Sequence, residues 1–168
     1  MLGTTCYDER AVIVSLLKLF ALCVLAAAAV GLVRTWHMEH SKNQKLFLGG
    51  VVPNPAPDGL YRGSVSGPKV SWLGKRFSAA TSRGINSFDD DTDGQREQYP
   101  FRTYVGKGLR DLGTDVFKID YNVPENPWWL RTILDEIVEI DPGHYLGKVH
   151  VQLIPGYPFT LAYFELEK

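Results

Sequence analysis

One short segment of the chain has the residue types and the spacing of a metal-binding loop. Residues 89–94 read Asp-Asp-Asp-Thr-Asp-Gly, so Asp89, Asp91 and Asp93 alternate as the carboxylate ligands of calcium do. The twelfth position of a helix–loop–helix calcium site carries a bidentate glutamate, whereas here it is Pro100. Asp and Gly are also good turn residues. We therefore expect an exposed acidic turn, with calcium binding as the alternative, and no other cofactor.

The rest of the chain offers little support for catalysis. None of the four histidines lies in an H-E-x-x-H pattern, and no G-x-S-x-G segment is present. Three Gly-Lys pairs begin at positions 74, 106 and 147, but none completes a phosphate-binding loop, so they predict bends in strands. We expect a protein that is not an enzyme, and an enzyme with a site hidden inside the fold is the less favoured alternative.

The charge balance argues against nucleic acid as a partner. The 168 residues include 18 Lys and Arg and 19 Asp and Glu, which gives a net charge of −1. Proteins that neutralise phosphates normally carry an excess of basic residues. Both cysteines, Cys6 and Cys23, lie near the start of the chain, so no disulfide or cysteine-ligated metal can stabilise the remainder.

Residues 11–33 form a long apolar segment. At about 1.5 Å of rise per residue they reach roughly 34 Å, enough to cross a hydrocarbon core of about 30 Å. Lys18 can extend to the nearer interface, and Arg34 and Trp36 provide an interfacial anchor at the other end. We predict a retained single-pass transmembrane helix with the bilayer as partner, and a cleaved signal peptide is the alternative. Its orientation stays open, because basic residues flank both ends.

Small residues in this segment predict contacts with other membrane helices. Ala27 and Gly31 lie four residues apart, so they share one helix face and permit the close approach of a second helix. We therefore expect other integral membrane subunits as partners. Trp36 is expected to contact either such a partner or the bilayer surface.

The chain divides into four predicted regions. Residues 1–10 are an N-terminal tail, and 11–33 are the transmembrane helix. Residues 34–58 are a juxtamembrane connector whose prolines at alternate positions hold it extended as a semi-rigid spacer. Residues 59–168 form the folded domain.

Within the folded domain the hydrophobic pattern has mostly a period of two. Clusters of Gly, Pro or Asp interrupt it at short intervals, which is typical of short antiparallel strands. The predicted strands are residues 60–66, 70–78, 85–88, 101–105, 116–122, 136–140, 145–153 and 159–167. The sequence therefore predicts a mainly β fold, an antiparallel barrel of about seven or eight short strands, behind an N-terminal transmembrane helix.

One short helix is predicted between two of these strands. Asn126 as the N-cap and Pro127 at the first helical position would start a helix over residues 128–134. Such a helix presents Trp128 and Trp129 side by side, and two adjacent indoles do not both face one core. We expect one of them to cover the barrel mouth and the other to contact a partner or the membrane.

Five short motifs follow one another in the folded domain. They are Gly-Leu-Tyr-Arg-Gly at 59–63, Trp-Leu-Gly-Lys-Arg-Phe at 72–77, Asp-Tyr-Asn at 120–122, Asp-Glu-Ile-Val-Glu at 135–139 and Tyr-Leu-Gly-Lys at 145–148. Their order resembles that of small lipocalin-like (calycin-type) domains, including the bacterial family named for a G-x-W-x-G motif. Tyr61 stands where those families carry Trp. The resemblance implies a lipocalin-like barrel over residues 59–168.

The interior of such a barrel is either filled by side chains or holds a ligand. The candidates to line it are Trp72, Arg102, Tyr104, Lys118, Tyr121, Tyr145, His150 and Tyr163. Two functions are open. The favoured one is a non-catalytic accessory or interaction subunit of a membrane protein complex. The alternative is a membrane-tethered carrier or sensor of a small apolar ligand.

Overall fold

The computed structural model describes residues 9–65, 71–90, 94–154 and 156–168. Within these residues two α-helices come first, α1 (Glu9–Glu39) and α2 (Lys42–Gly49). Eight strands follow them: β1 (Gly59–Val65), β2 (Trp72–Ser78), β3 (Arg83–Phe88), β4 (Arg96–Lys107), β5 (Asp115–Asp120), β6 (Ile133–Asp141), β7 (His144–Ile154) and β8 (Tyr157–Glu167).

The strands close into a barrel in chain order. Each strand pairs antiparallel with the next, and β8 pairs back with β1. This confirms the mainly β antiparallel barrel, and each predicted strand overlaps one observed strand.

One end of the barrel holds the C-terminal ends of β1, β3, β5 and β7, because successive strands alternate in direction. The described residues of β7 and β8 extend beyond the adjacent ends of β6 and β1 there. Ile154 and Tyr157 still pair with each other, whereas β6 begins opposite Val151 and β1 ends opposite Phe164. We call this end the hairpin end.

Side chains alternate between the barrel interior and its outer wall, as the period of two requires. On β5, Phe117 and Ile119 face inward, whereas Val116 belongs to a second cluster on the outer wall. The interior core consists of Tyr61, Phe77, Phe101, Phe117, Ile119, Tyr121, Leu130, Ile137, Tyr145, Phe164 and Leu166. Where the Phe164 ring crosses β7, a Cβ at Gly147 would lie 2.2 Å from it, so this close approach requires glycine.

Both helices pack on the outer wall, and here the structure differs from the predicted spacer. The helix α1 continues past residue 33 to Glu39, and α2 occupies part of the predicted connector. Ser41 caps α2 by accepting a hydrogen bond from the Gln44 amide. Met38 and Phe47 are buried against strand residues such as Val138. Burial of these apolar side chains therefore makes the first part of the connector a component of the folded barrel.

The C-terminal part of α1 runs alongside β8 in the same direction. A Cβ at Gly31 would lie 2.8 Å from the Phe159 ring. Further along, Thr35 Oγ1 accepts a hydrogen bond from the Thr160 amide at 2.9 Å. Later residues of α1 thus meet later residues of β8, and the N-terminal part of α1 extends beyond the hairpin end. This corrects the expectation for Gly31, whose small size serves packing on the barrel of the same chain.

The segment from Arg10 to Glu39 is long and apolar enough to cross a membrane. Ala27 is exposed on this helix. Trp36 is also exposed, and its ring stacks on that of His40 at 4.6 Å between centroids.

The predicted helix over residues 128–134 is wrong. A single 3-10 turn, Leu130–Thr132, occupies this region, and β6 begins at Ile133. The side chain of Asn126 caps no helix, because its amide donates to the carbonyl oxygens of Pro100 and Tyr121, both at 2.8 Å. Pairing of β6 with both of its neighbours outweighs the local helical signal.

Candidate ligand-binding site

A cavity of about 280 Å³ opens at the hairpin end of the barrel. Most of its wall is apolar, and Lys75, Asn86, Tyr121 and Asp135 form a polar cluster in it. The lining residues are Val65, Trp72, Lys75, Asn86, Phe88, Tyr99, Tyr121, Trp129, Leu130, Ile133, Asp135, Val149 and Phe164. The cavity therefore combines an apolar wall with a small polar cluster, as binding sites for small molecules do.

A buried ion pair forms the centre of the polar cluster. Lys75 Nζ lies 3.0 Å from Asp135 Oδ2, and both side chains are almost completely buried. The same ammonium donates to Asn86 Oδ1 at 3.0 Å and to the Tyr121 hydroxyl. An ammonium has three N–H donors, so Lys75 has none left for a further acceptor.

The other donors of the cluster are also in use. Trp72 Nε1 donates to Asn86 Oδ1 at 3.1 Å. Asn86 Nδ2 donates to the Tyr99 carbonyl oxygen at 3.1 Å and to the Tyr121 hydroxyl at 3.0 Å. Among the described residues, none donates to Asp135 Oδ1, although this atom is buried. The cluster thus keeps one acceptor without a partner while its N–H donors are occupied.

Burial changes the proton affinity of this cluster. It lowers the pKa of Lys75 below the ordinary 10.5, and the charge of Asp135 offsets part of that effect. Burial also raises the pKa of the Tyr121 hydroxyl well above its ordinary value, and the Asp135 charge adds to that rise. The Lys75 ammonium lies 5.4 Å from the ring centroid of Trp72 and 5.2 Å from that of Phe164, close enough for cation–π attraction.

Of the eight residues predicted to line the interior, three do face inward. Trp72 and Tyr121 line the cavity itself. Tyr145 lies in the interior core, where its ring is 5.2 Å from that of Tyr61. The structure thus brings two of the predicted residues into the candidate site.

The other five lie on the outer wall, which corrects that prediction. Arg102 pairs with Asp120 at 2.7 Å, and its guanidinium lies 6.0 Å from the ring of the half-exposed Tyr104. These positions alternate with inward residues such as Phe101, so the period of two turns them outward.

Lys118, His150 and Tyr163 lie on the outer wall too, but they are buried beneath other elements. Glu136 accepts from the Leu109 amide at 2.7 Å and lies 3.1 Å from His150 Nε2 and 3.4 Å from Lys118 Nζ. Tyr163 donates its hydroxyl proton to Gln44 of α2 at 2.7 Å. These polar contacts attach α2 and the β4–β5 loop to the wall.

Three residues of the cluster, Lys75, Asn86 and Asp135, are not among those predicted to line the interior. A usable signal was present, since Asp135 alternates in phase with Ile133 and Ile137. The phase of Lys75 relative to Trp72 was hidden, because the register of β2 shifts between Trp72 and Gly74.

The two adjacent tryptophans occupy different environments. Trp129 lines the cavity and packs edge-on against Tyr99, with 6.2 Å between ring centroids. Trp128 is 76% exposed. The positions agree with one indole at the mouth and the other free for a partner or the membrane, and the identity of that contact stays a prediction.

The predicted calcium loop lies only partly within the described residues. Asp89 is described, and its amide donates to the Ser71 carbonyl oxygen at 2.6 Å, whereas Asp91 and Asp93 lie outside. Elsewhere His144, Glu165 and Glu167 bring possible ligand atoms within 4.8 Å of one another. His144 Nε2 on β7 lies 3.0 Å from Glu165 and 3.5 Å from Glu167 on β8, and these cross-strand contacts explain their proximity without a metal.

Comparisons with known proteins support the fold alone. No protein-family model matches the chain, and no curated protein matches it significantly. A crystal structure of a protein from Thermomonospora curvata superposes with a TM-score of 0.54 at 16% sequence identity. The match covers 74% of this chain and 84% of that one. This chain is therefore similar in fold to that protein.

Proposed function

We propose that this chain is a membrane-anchored, lipocalin-like binding protein that holds a small, mainly apolar molecule with a hydrogen-bond donor at one end. The observation that carries the proposal is the cavity with its buried Lys75–Asp135 pair. The helix α1 serves as the anchor, since it is long and apolar enough to span a bilayer.

The cavity limits the size of the ligand. A volume of about 280 Å³ lies just below the range usual for drug-sized ligands. At roughly 30 Å³ for each water-sized group, it accommodates about ten non-hydrogen atoms. The apolar wall favours an alkyl chain or a ring over a sugar or a nucleotide.

The polar cluster favours a neutral hydroxyl or an amine over a carboxylate. A carboxylate would meet Lys75, whose three donors are already in use, and the nearby negative charge of Asp135. Burying an additional anion beside a neutral ion pair carries a large desolvation cost. A hydroxyl or ammonium group can instead donate to Asp135 Oδ1, the acceptor that lacks a described partner.

A pair of brominated ligands tests both parts of the proposal. We would titrate the full chain in lipid nanodiscs with 8-bromo-1-octanol and with 8-bromooctanoate, and follow quenching of tryptophan fluorescence. In a Trp36→Phe, Trp128→Phe background, the remaining tryptophans are Trp72 and Trp129, and both line the cavity. We expect saturable quenching by the alcohol, at a concentration at least about tenfold lower than for the carboxylate, a difference of about 1.4 kcal/mol.

Two further variants separate cavity binding from partition into lipid. Val149→Phe fills the cavity and should remove the saturable component, leaving only the linear part. Lys75→Met combined with Asp135→Leu removes the head-group cluster without leaving a buried charge unpaired, and should reduce the preference for the alcohol. No saturable quenching by either ligand would refute a binding function, and equal affinity for both would refute the head-group assignment.

A second candidate function is an accessory subunit of a membrane complex, and Trp128 favours it. Its indole is 76% exposed, and burial of such a ring in an interface contributes roughly 2–3 kcal/mol. Gentle solubilisation followed by native mass measurement tests this function. Trp128→Ala should leave the barrel folded and release co-purifying subunits. Complexes of unchanged mass in the variant would count against it.

A further inference from the structure

The tip of the β7–β8 hairpin carries exposed apolar side chains. Leu153 is 63% exposed, Ile154 46% and Tyr157 41%. The sequence from 151 to 159 has no charged residue. Small clusters of exposed apolar residues at a projecting tip are characteristic of contact surfaces.

The direction of α1 relates this tip to the predicted membrane span. Gly31 packs on Phe159, near the C-terminal end of that span. Tyr157 precedes Phe159 by two strand residues, which is about 7 Å further toward the N-terminal part of α1. At about 1.5 Å of rise per helical residue, this displacement brings the tip level with residues near Ala27, inside the apolar segment.

Charged and aromatic residues lie where the lipid headgroups would then be. The Arg34 side chain donates to the Leu161 carbonyl oxygen at 2.7 Å, on the side of Phe159 away from the tip. Arg110 pairs with Glu39 and donates to the Pro158 carbonyl oxygen at 3.1 Å. Tyrosine and arginine side chains, Tyr157 included, are favoured at this depth of a bilayer, whereas Leu153 and Ile154 are favoured deeper.

We propose that Leu153, Ile154 and Tyr157 insert into the lipid surface beside α1, as a second membrane contact of the barrel. The inference rests on the membrane anchoring included in the proposed function. The occupant is the bilayer itself, because the tip lies beside a helix whose corresponding segment is apolar and exposed. Insertion to the boundary of headgroups and acyl chains keeps the hairpin backbone near polar groups. The cavity opens at the same end, so its mouth faces lipid.

Site-specific fluorescence in nanodiscs tests the insertion. In a Cys6→Ser, Cys23→Ala background we would introduce Leu153→Cys and label it with an environment-sensitive nitrobenzoxadiazole probe. Leu112→Cys is the matched control, because Leu112 is similarly exposed but lies in the β4–β5 loop. We expect the probe at 153 to emit at shorter wavelength and to be quenched by spin-labelled lipid. Its quenching by aqueous iodide should be several-fold weaker than at 112.

The outcomes distinguish this inference from the proposed function. Iodide quenching at 153 as strong as at 112 overturns insertion, and so does a shielded probe that spin-labelled lipid fails to quench. Extraction of the chain from membranes by alkaline carbonate would instead refute the anchor. Absence of saturable quenching by 8-bromo-1-octanol would refute ligand binding but would leave the insertion unaffected. Ile154→Cys provides a second labelling position should the first variant fold poorly.

Discussion

Replacing Lys75 by methionine should destabilise the barrel strongly. The ammonium lies 3.0 Å from Asp135 Oδ2, and the two side chains are only 3% and 5% exposed, so this ion pair is buried. After the substitution, Asp135 keeps only the Tyr121 hydroxyl at 3.3 Å as a described side-chain donor. Removing one partner of a buried pair costs about 3–5 kcal/mol, because the other charge stays buried without compensation.

A neighbouring position on the same strand provides the control. Arg76 follows Lys75 but faces outward, and it pairs with Glu97 at 2.6 Å with both side chains roughly half exposed. Exposed pairs contribute between 0 and about 1 kcal/mol, so Arg76→Met should change the free energy of unfolding by no more than that. The double variant Lys75→Met, Asp135→Leu removes both charges and should recover most of the loss.

The measurement is urea-induced unfolding of the full chain in nanodiscs, followed by tryptophan fluorescence and extrapolated linearly to water. The three variants should rank with Lys75→Met as the least stable. A loss below about 1 kcal/mol for Lys75→Met would refute the reasoning, since such a value belongs to an exposed pair. A double variant as unstable as the single one would show that cavity formation, and not the unpaired carboxylate, causes the loss.

Two further predictions follow from the same contacts. Burial lowers the pKa of Lys75 below its ordinary 10.5, so between the lowered value and 10.5 the unfolded chain holds a proton that the folded chain has released. The free energy of unfolding should therefore rise with pH across that window, and urea titrations should show that Lys75→Met lacks this rise. Phe47 is fully buried where α2 meets the barrel, so Phe47→Ala should cost about 3–5 kcal/mol. Leu46→Ala, at a half-exposed position of the same helix, should change the free energy of unfolding by no more than about 0.5 kcal/mol. Equal urea midpoints for Phe47→Ala and Leu46→Ala would contradict the packing of α2 on the barrel.

The barrel could be predicted from the sequence because its signal is local. Alternation such as that of Val116 to Tyr121 reports directly which side chains share a face, and turn residues mark where each strand ends. The hairpin turn between β6 and β7 was correctly placed for this reason, with Gly143 at a φ of +75°. The apolar N-terminal segment could also be predicted, because its length and composition alone identify it.

The position of the buried polar residues could not be read locally. Lys118 and His150 alternate as outward residues, and they are buried only because α1, α2 and the β4–β5 loop fold over that wall. Lys75 faces inward because the register of β2 shifts at Gly74, and the order of polar and apolar residues does not predict such a shift. Glu136 similarly reads as a solvent-facing acid, and its burial depends on the Leu109 amide from a distant loop. The strands were predicted correctly, but the burial of these polar residues depends on helices and loops that pack over the barrel, which the local sequence does not show.

The buried pair itself is an argument that the interior serves a ligand. Small barrels can fill their interiors with apolar side chains, and an apolar replacement of a buried ion pair is often equally or more stable. This barrel does neither at the hairpin end, where Lys75 and Asp135 face a cavity of about 280 Å³. Stability alone does not account for a charged pair beside an unfilled space and a buried acceptor that no described residue satisfies. Binding of a donor-bearing apolar molecule accounts for all three features, because it fills the volume and satisfies the acceptor at once.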